Sequence, residues 1–173
     1  MRIEPLTAEP PPALLAQFTD LLIDAVAHGA SLGFLAAVTR EEAAAYWKKI
    51  FADILDGGRV VLAAFDDAER LIGTAQLALE LRPNGRHRAE VQKVLVWHAA
   101  RGRGIGAALM VRLEAAARAH GRTLLFLDTS VGPAGAVKFY ERLGYARAGG
   151  IPDYAANPDG RLVPNVIFYK RLS

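Results

Sequence analysis

The sequence predicts a single α/β domain spanning residues 1–173, built on a mixed sheet that is largely antiparallel and flanked by helices. Three observations carry this. Apolar residues recur at helical spacing up to about Gly57 and change to the alternating and continuous apolar runs of strands from Arg59 onward. Three strand-like runs then follow one another across short turns, which gives an antiparallel meander before helix and strand begin to alternate after Trp97. The chain has 173 residues, 52% hydrophobic and 23% charged, which is enough to bury one core and too short for two full ones.

The elements follow in order. After an opening strand, the prolines from Pro5 to Pro12 lead into a helix that starts at Ala13, carries Leu14, Leu15, Leu21 and Leu22 at three- and four-residue steps, and ends near Gly29. A turn, Gly29 to Phe34, separates it from a second helix. Thr39 and Glu42 have the spacing of a capping box, and the helix runs through Tyr46, Trp47, Ile50 and Leu55 to the stop at Gly57-Gly58. Tyr46 and Trp47 are expected in the core. Strands are expected at Arg59 to Phe65, Leu71 to Leu81 and Arg88 to Trp97, separated by Asp66-Asp67 and by a tight turn at Pro83-Asn84-Gly85. A helix from about Gly104 to His120 presents Ile105, Leu109, Leu113 and Ala116 on one face. A buried strand at Thr123 to Leu127, a helix from Ala134 to Leu143 ended by Gly144, and a last strand from Val163 to Arg171 complete the order.

Composition removes whole classes of function. There is no cysteine, hence no disulfide framework, thiol nucleophile or thiolate zinc site. The 21 Lys and Arg against 18 Asp and Glu leave a formal charge of only +3, scattered along the chain, so a nucleic-acid partner is not expected. No apolar run approaches the roughly 18 to 20 residues that span a bilayer, and Met1 to Pro12 carries Glu4, Glu9 and four prolines, so a cytoplasmic protein without a membrane partner is expected. The four histidines, His28, His87, His98 and His120, have no spacing that holds a metal, and none is expected. Gly29-Ala-Ser31-Leu-Gly33 has the letters of a hydrolase elbow, but it follows a helical segment and reads as a lid turn.

The most informative segment is Val94 to Met110. A strand feeds a glycine-rich turn that opens a helix, whose first N–H groups lack intrahelical acceptors and, with the helix dipole, attract a phosphate or pyrophosphate. Gly102, Gly104 and Gly106 remove Cβ atoms from the approach, and Arg101 and Arg103 add charge. Three readings fit. The glycines can serve tight helix packing alone. Gly102-x-Gly104-x-x-Ala107 also fits a permissive dinucleotide fingerprint, with Asp128 about 20 residues on at the end of the next strand. Against it stand the three antiparallel strands before the motif and the shortness of the chain after Gly106.

The third reading rests on two motifs. Arg101-x-x-Gly104-x-Gly106 resembles the Q/R-x-x-G-x-G/A pyrophosphate loop of the GNAT superfamily of N-acetyltransferases, and Ala136-x-x-Phe139-Tyr140-Glu141-x-Leu143-Gly144-Tyr145 is similar to that family's later A-x-x-[FL]-Y-E-x-x-G-[FY] motif. Gly29 to Phe34, Pro83 to Gly85, Arg88 to Lys93, Ala100 to Gly104, Leu127 to Thr129 and Asn157 to Leu162 resemble the tabtoxin-resistance acetyltransferase family over nearly the whole chain. The resemblance implies a GNAT-like sheet splayed at the acetyl-CoA site and acetyl-CoA as donor, bound along Val94, Leu95 and Val96 and held at its pyrophosphate by Arg101, Gly102, Arg103, Gly104, Ile105 and Gly106. It implies Tyr140 as general acid, and a small-molecule primary amine as acceptor, such as a β-lactam dipeptide toxin. One departure is the place of a cofactor-contacting asparagine, taken here by about Pro133.

The residues are suited to such a transfer. Supplying a neutral amine of pKa near 10.4 at pH 7 costs about 4 to 5 kcal/mol, which asks for a base, and the departing thiolate asks for an acid. Glu90, an acid inside a strand, and Asp128, at a strand end, are the candidate bases, and both match the closer family's acidic positions. Pairing of Glu90 with Arg88 or Lys93, a turn-acceptor role for Asp128 and a core role for Tyr140 are the alternatives. Phe34 and Tyr154, in turns, and Gln92, in the Arg88 to Lys93 segment, are the expected acceptor-site residues. A non-catalytic acyl-CoA-binding module and a nicotinamide-dependent oxidoreductase remain open, as does a homodimer.

Overall fold

The computed structural model describes residues 1–7, 9–131 and 136–173. The expected start of the fourth helix at Ala134, and the departure at Pro133, lie outside the described residues. The elements are β1 (Arg2–Pro5), α1 (Pro12–Ala27), α2 (Arg40–Leu55), β2 (Arg59–Phe65), β3 (Leu71–Leu79), β4 (Arg88–Val96), α3 (Ile105–Ala119), β5 (Leu124–Ser130), α4 (Ala136–Arg142), β6 (Ala146–Gly149), β7 (Ala155–Ala156), β8 (Leu162–Val163) and β9 (Asn165–Arg171).

Local chemistry sets most boundaries. Pro12 opens α1, where a missing N–H costs nothing. Thr39 and Glu42 cap α2 reciprocally: the Glu42 N–H donates to Thr39 Oγ1 at 3.2 Å, and the Thr39 N–H donates to Glu42 Oε2 at 2.8 Å. β3 stops at Leu79, short of the expected Leu81, because Arg82 and Arg88 fold onto Glu80 and turn the chain away. The expected tight turn at Pro83–Gly85 is a 3₁₀ turn. β9 starts at Asn165 because Pro164 has no N–H for a ladder; Val163 pairs instead with Ala155 in a separate two-stranded hairpin.

The main sheet has strand order β1-β2-β3-β4-β5-β9-β6. Every pair is antiparallel except β4 with β5, which runs parallel. Alternation along the strands feeds two cores. Val60, Leu62, Leu77 and Val91 pack with Ile105, Leu109 and Leu113 of α3, whereas Val61, Ala63 and Leu95 pack under Phe18, Leu22, Trp47 and Phe51 of α1 and α2. On α3 the buried stripe also takes in Met110 and Ala117, while Ala116 is only half-buried.

Two irregularities open the sheet. β4 and β5 pair only from Arg88 to Glu90 against Leu124 to Phe126 and then separate, although both strands continue. Against β3, the register of β4 slips by one residue between Gln92 and Leu95, a β-bulge at Lys93–Val94 in which Lys93 takes a left-handed φ of 48°. The gap beyond Glu90 faces a cleft.

Candidate active site

The cleft has a volume of about 1400 Å³ and runs from the α2 face of the sheet, through the gap between β4 and β5, to the first turn of α3. Glu90, Gln92, Val94, Leu95, Val96, Arg101, Gly102, Gly104, Ile105, Gly106, Asp128, Tyr140 and Tyr154 all line it. Of the expected site residues, two lie elsewhere. Arg103 lines a different depression with Trp97 and Arg70, its Nη2 donating to the Ala99 carbonyl at 3.4 Å. Phe34 stacks edge-on against Tyr46, with ring centroids 5.7 Å apart, and packs into the α1–α2 core.

The anion end is built from backbone. Gly102 and Gly104 have φ of 77° and 78°, left-handed values that favour glycine, and a Cβ at either would meet no protein atom within 4 Å. Gly104 is the N-cap of α3 and offers no side-chain acceptor to the first-turn N–H groups, which are left for a ligand. The turn therefore fits a pyrophosphate. Gly106 lines the cleft in the first turn of α3, where a Cβ would meet the Phe139 ring of α4 in ordinary contact at 3.4 Å. Arg101 is folded back, its Nε donating to the Val96 carbonyl at 3.3 Å.

The middle of the cleft carries the acids. Glu90 is level with Phe126 in the parallel pair, so Asp128, two residues further along β5, points to the same face. Burial raises the Glu90 carboxyl above its ordinary value; interaction with Gln92 opposes this, and the negative charge of Asp128 adds to it. Arg88, one of its expected partners, is taken by Glu80 at 3.0 Å. Asp128 is exposed within a strand, which runs to Ser130 and past the expected Leu127, and accepts from Asn165 Nδ2 at 3.4 Å.

Tyr140 approaches from α4. Its ring lies 5.1 Å from Phe139, 5.8 Å from Tyr145 and 5.9 Å from Phe168, and its hydroxyl makes no hydrogen bond within the described residues. Burial and then the charge of Asp128 push its pKa up, so it is protonated at neutral pH.

Sequence reasoning missed the polar floor. Arg59 on β2 donates from Nη1 to Gln92 Oε1 at 2.8 Å and to Gln76 Oε1 at 3.1 Å, and its Nε meets Asp53 at 3.3 Å. Tyr46, expected in the core, faces this network, with its hydroxyl 3.4 Å from Gln76 Oε1 and its pKa pushed by burial up to about 12. Gln76 is fully buried in β3, a polar residue inside an apolar strand, and that was the available signal. One wall is formed by Gly29 to Gly33, with Ser31 Oγ donating to the Ala156 carbonyl at 3.4 Å, and just beyond it the Ala36 N–H donates to the Pro158 carbonyl at 3.0 Å.

The acetyltransferase (GNAT) family model matches residues 23–145, well over half of the chain. The chain belongs to the GNAT acetyltransferase family. Solved structures share its fold. A ribosomal-protein-alanine N-acetyltransferase from Brucella melitensis is 23% identical with a TM-score of 0.78, covering 99% of this chain and 100% of that one. A Salmonella typhimurium protein solved with its cofactor acetyl-CoA is 22% identical with a TM-score of 0.77, over 100% and 95% of the two chains. An aminoglycoside 6'-N-acetyltransferase complexed with coenzyme A is 20% identical, also at 0.77, over 99% and 97%. Membership of that family makes this chain an acyltransferase that uses acetyl-CoA, and the mixed, mostly antiparallel sheet flanked by helices is the fold it shares with these structures. Among the described residues, no group of three or more His, Asp or Glu side chains is placed to hold a metal, and no helix is long and apolar enough to cross a membrane.

Proposed function

We propose that this protein transfers acetyl from acetyl-CoA directly to the primary amine of a small molecule, with Glu90 and Asp128 serving the amine and Tyr140 the sulfur. The observation that carries the reading is one cleft that joins the anion cradle at the N-terminus of α3 to the half-buried Glu90, the exposed Asp128 and a protonated tyrosine. Acetyl-CoA supplies the activated acyl group. The Gly102 and Gly104 backbone with Arg101 would hold its pyrophosphate, and the β4 edge left unpaired beyond Glu90 would take an amide-bearing arm as an added strand.

Glu90 then takes a proton from the acceptor's ammonium, a role its raised pKa suits because a stronger base competes better for that proton. Asp128, exposed beside it, supplies the negative charge that draws a cationic amine into the gap. As the new C–N bond forms and the C–S bond breaks, Tyr140 gives its hydroxyl proton to the departing sulfur, and the second proton shed by the nitrogen as the amide forms restores the Tyr140 hydroxyl. Among acceptors, the likeness of Arg88 to Lys93 and Asn157 to Leu162 to the tabtoxin-resistance family supports a β-lactam dipeptide amine. The test is free-thiol release from acetyl-CoA across small amines, amino acids, dipeptides, aminoglycosides and peptide amino termini. Release with small amines and none with peptide termini is the expected result.

A further inference from the structure

β4 places two consecutive residues on one face. Gln92 reaches Arg59, and Lys93 reaches Tyr46 with its Nζ 5.5 Å from the ring centroid, although strand neighbours normally point to opposite sides. The bulge accounts for this: its extra residue, in a left-handed conformation at φ 48°, turns Lys93 back into the cleft beside Glu90. A lysine at that φ is strained, and strain that the surroundings hold in place gathers at ligand sites.

The ammonium so placed is unmatched. Lys93 is half-buried, yet among the described residues no carboxylate lies within 4.0 Å of its Nζ and no hydrogen-bond acceptor satisfies it. Arg59, another cation of the floor, has its charge met by Asp53 at 3.3 Å and its Nε and Nη1 engaged by Asp53, Gln76 and Gln92. Glu90, Lys93 and Asp128 all line the one cleft, so one small ligand there meets both acids and this cation; burial depresses the Lys93 pKa, while Glu90 and Asp128 act on it electrostatically in the opposite sense. An acceptor ammonium at the acids leaves the lysine still without an anion.

Resting on the amine-transfer reading above, we propose that Lys93 is the specificity-determining cation of the acceptor site, binding the carboxylate of an acceptor that carries an acid and a primary amine on one small molecule. Such a ligand complements both charges of the floor, whereas a polyamine, an aminoglycoside or an amidated peptide leaves Lys93 unpaired or repelled.

Matched acceptors test this: amino acids and dipeptides against their own carboxamides, assayed by thiol release with wild type, Lys93→Met, Lys93→Arg and Lys93→Gly. A lost charge-assisted contact is worth about tenfold or more in affinity, so wild type should favour the free acids by about that factor in kcat/KM, expressed in KM. Lys93→Met should bring the acid-to-amide ratio close to one, and Lys93→Arg should keep most of it. Lys93→Gly relieves the left-handed φ, so it should melt no lower than wild type while losing the preference, which supplies a folded uncharged variant should the methionine variant not fold. Equal use of acids and amides by wild type, or a preference that survives in the uncharged variants, overturns the assignment and leaves amine transfer standing. Thiol release with neither class while another small amine of the acceptor screen is acetylated overturns the assignment alone, and thiol release with no amine of that screen overturns the amine-transfer reading and this assignment with it.

Discussion

Replacing Tyr140 with phenylalanine separates the packing of this residue from its chemistry. The residue is 9% exposed and its ring sits among Phe139, Tyr145 and Phe168, contacts that phenylalanine retains. The hydroxyl has no hydrogen-bond partner in the described residues, so its removal strands no donor or acceptor. The stability change should stay below about 0.5 kcal/mol, or about 2 °C in Tm for a chain of this length. Catalysis should respond differently. General acid help is worth about 10²-fold or more, so kcat should fall by at least that factor, about 2.7 kcal/mol at the barrier, with acetyl-CoA affinity little changed. Thiol release at saturating acetyl-CoA measures the rate, calorimetry the affinity, and thermal unfolding the stability. Full turnover in a stable variant would mean that water protonates the sulfur and that Tyr140 is a packing residue. A loss of several kcal/mol in stability would refute the account of an unpartnered hydroxyl.

Gly104→Val puts a β-branched residue at φ 78°, where a Cβ meets no protein atom, so it should remain folded at a cost of about 1 to 2 kcal/mol while acetyl-CoA affinity falls about tenfold or more in titration calorimetry. Glu90→Gln removes a carboxyl whose folded pKa lies above its unfolded one. Such a group favours folding while protonated and loses that contribution as pH rises through the folded pKa, so the variant should gain stability over wild type at neutral pH and show no gain below pH about 4 in urea titrations. In the same variant the acid limb of kcat/KM, set by deprotonation of the base, should disappear and the rate should fall throughout. Thr39→Ala breaks the reciprocal cap of α2 and should cost about 1 kcal/mol, read as a Tm drop of about 2 to 4 °C, with kcat unchanged because the cap is remote from the cleft.

What could be read from residues alone was what local rules govern. Arg59 to Phe65 is an apolar β-branched run bracketed by Gly57-Gly58 and Asp66-Asp67, and β2 has those bounds. The α2 cap and the glycine cradle are likewise short-range patterns, and the two GNAT motifs lie where their spacing places them. The strands that escaped notice lack such signals. Ala146–Gly149 is poor in β-formers and becomes β6 because β9 offers it an open edge, and β7 and β8 are two residues each. The floor of the cleft escaped for a related reason. Arg59, Gln76 and Gln92 stand on three different strands, and only the register brings them within hydrogen-bond distance. Lys93 is the sharpest case, since nothing in Gln92-Lys93-Val94 marks a bulge, and without it the lysine would face the α3 side of the sheet.

The most direct test of acetyl transfer through this cleft is a single-turnover reaction with acetyl-CoA labelled in its acetyl group and a small amine found in the acceptor screen, following free thiol and label together. The account predicts that thiol appears at the same rate as labelled N-acetyl product, that label never accumulates on the protein, and that both rates fall together in Tyr140→Phe and Glu90→Gln. Labelled protein formed before product would contradict direct attack by the amine, and thiol release without any N-acetyl product would contradict amine transfer altogether.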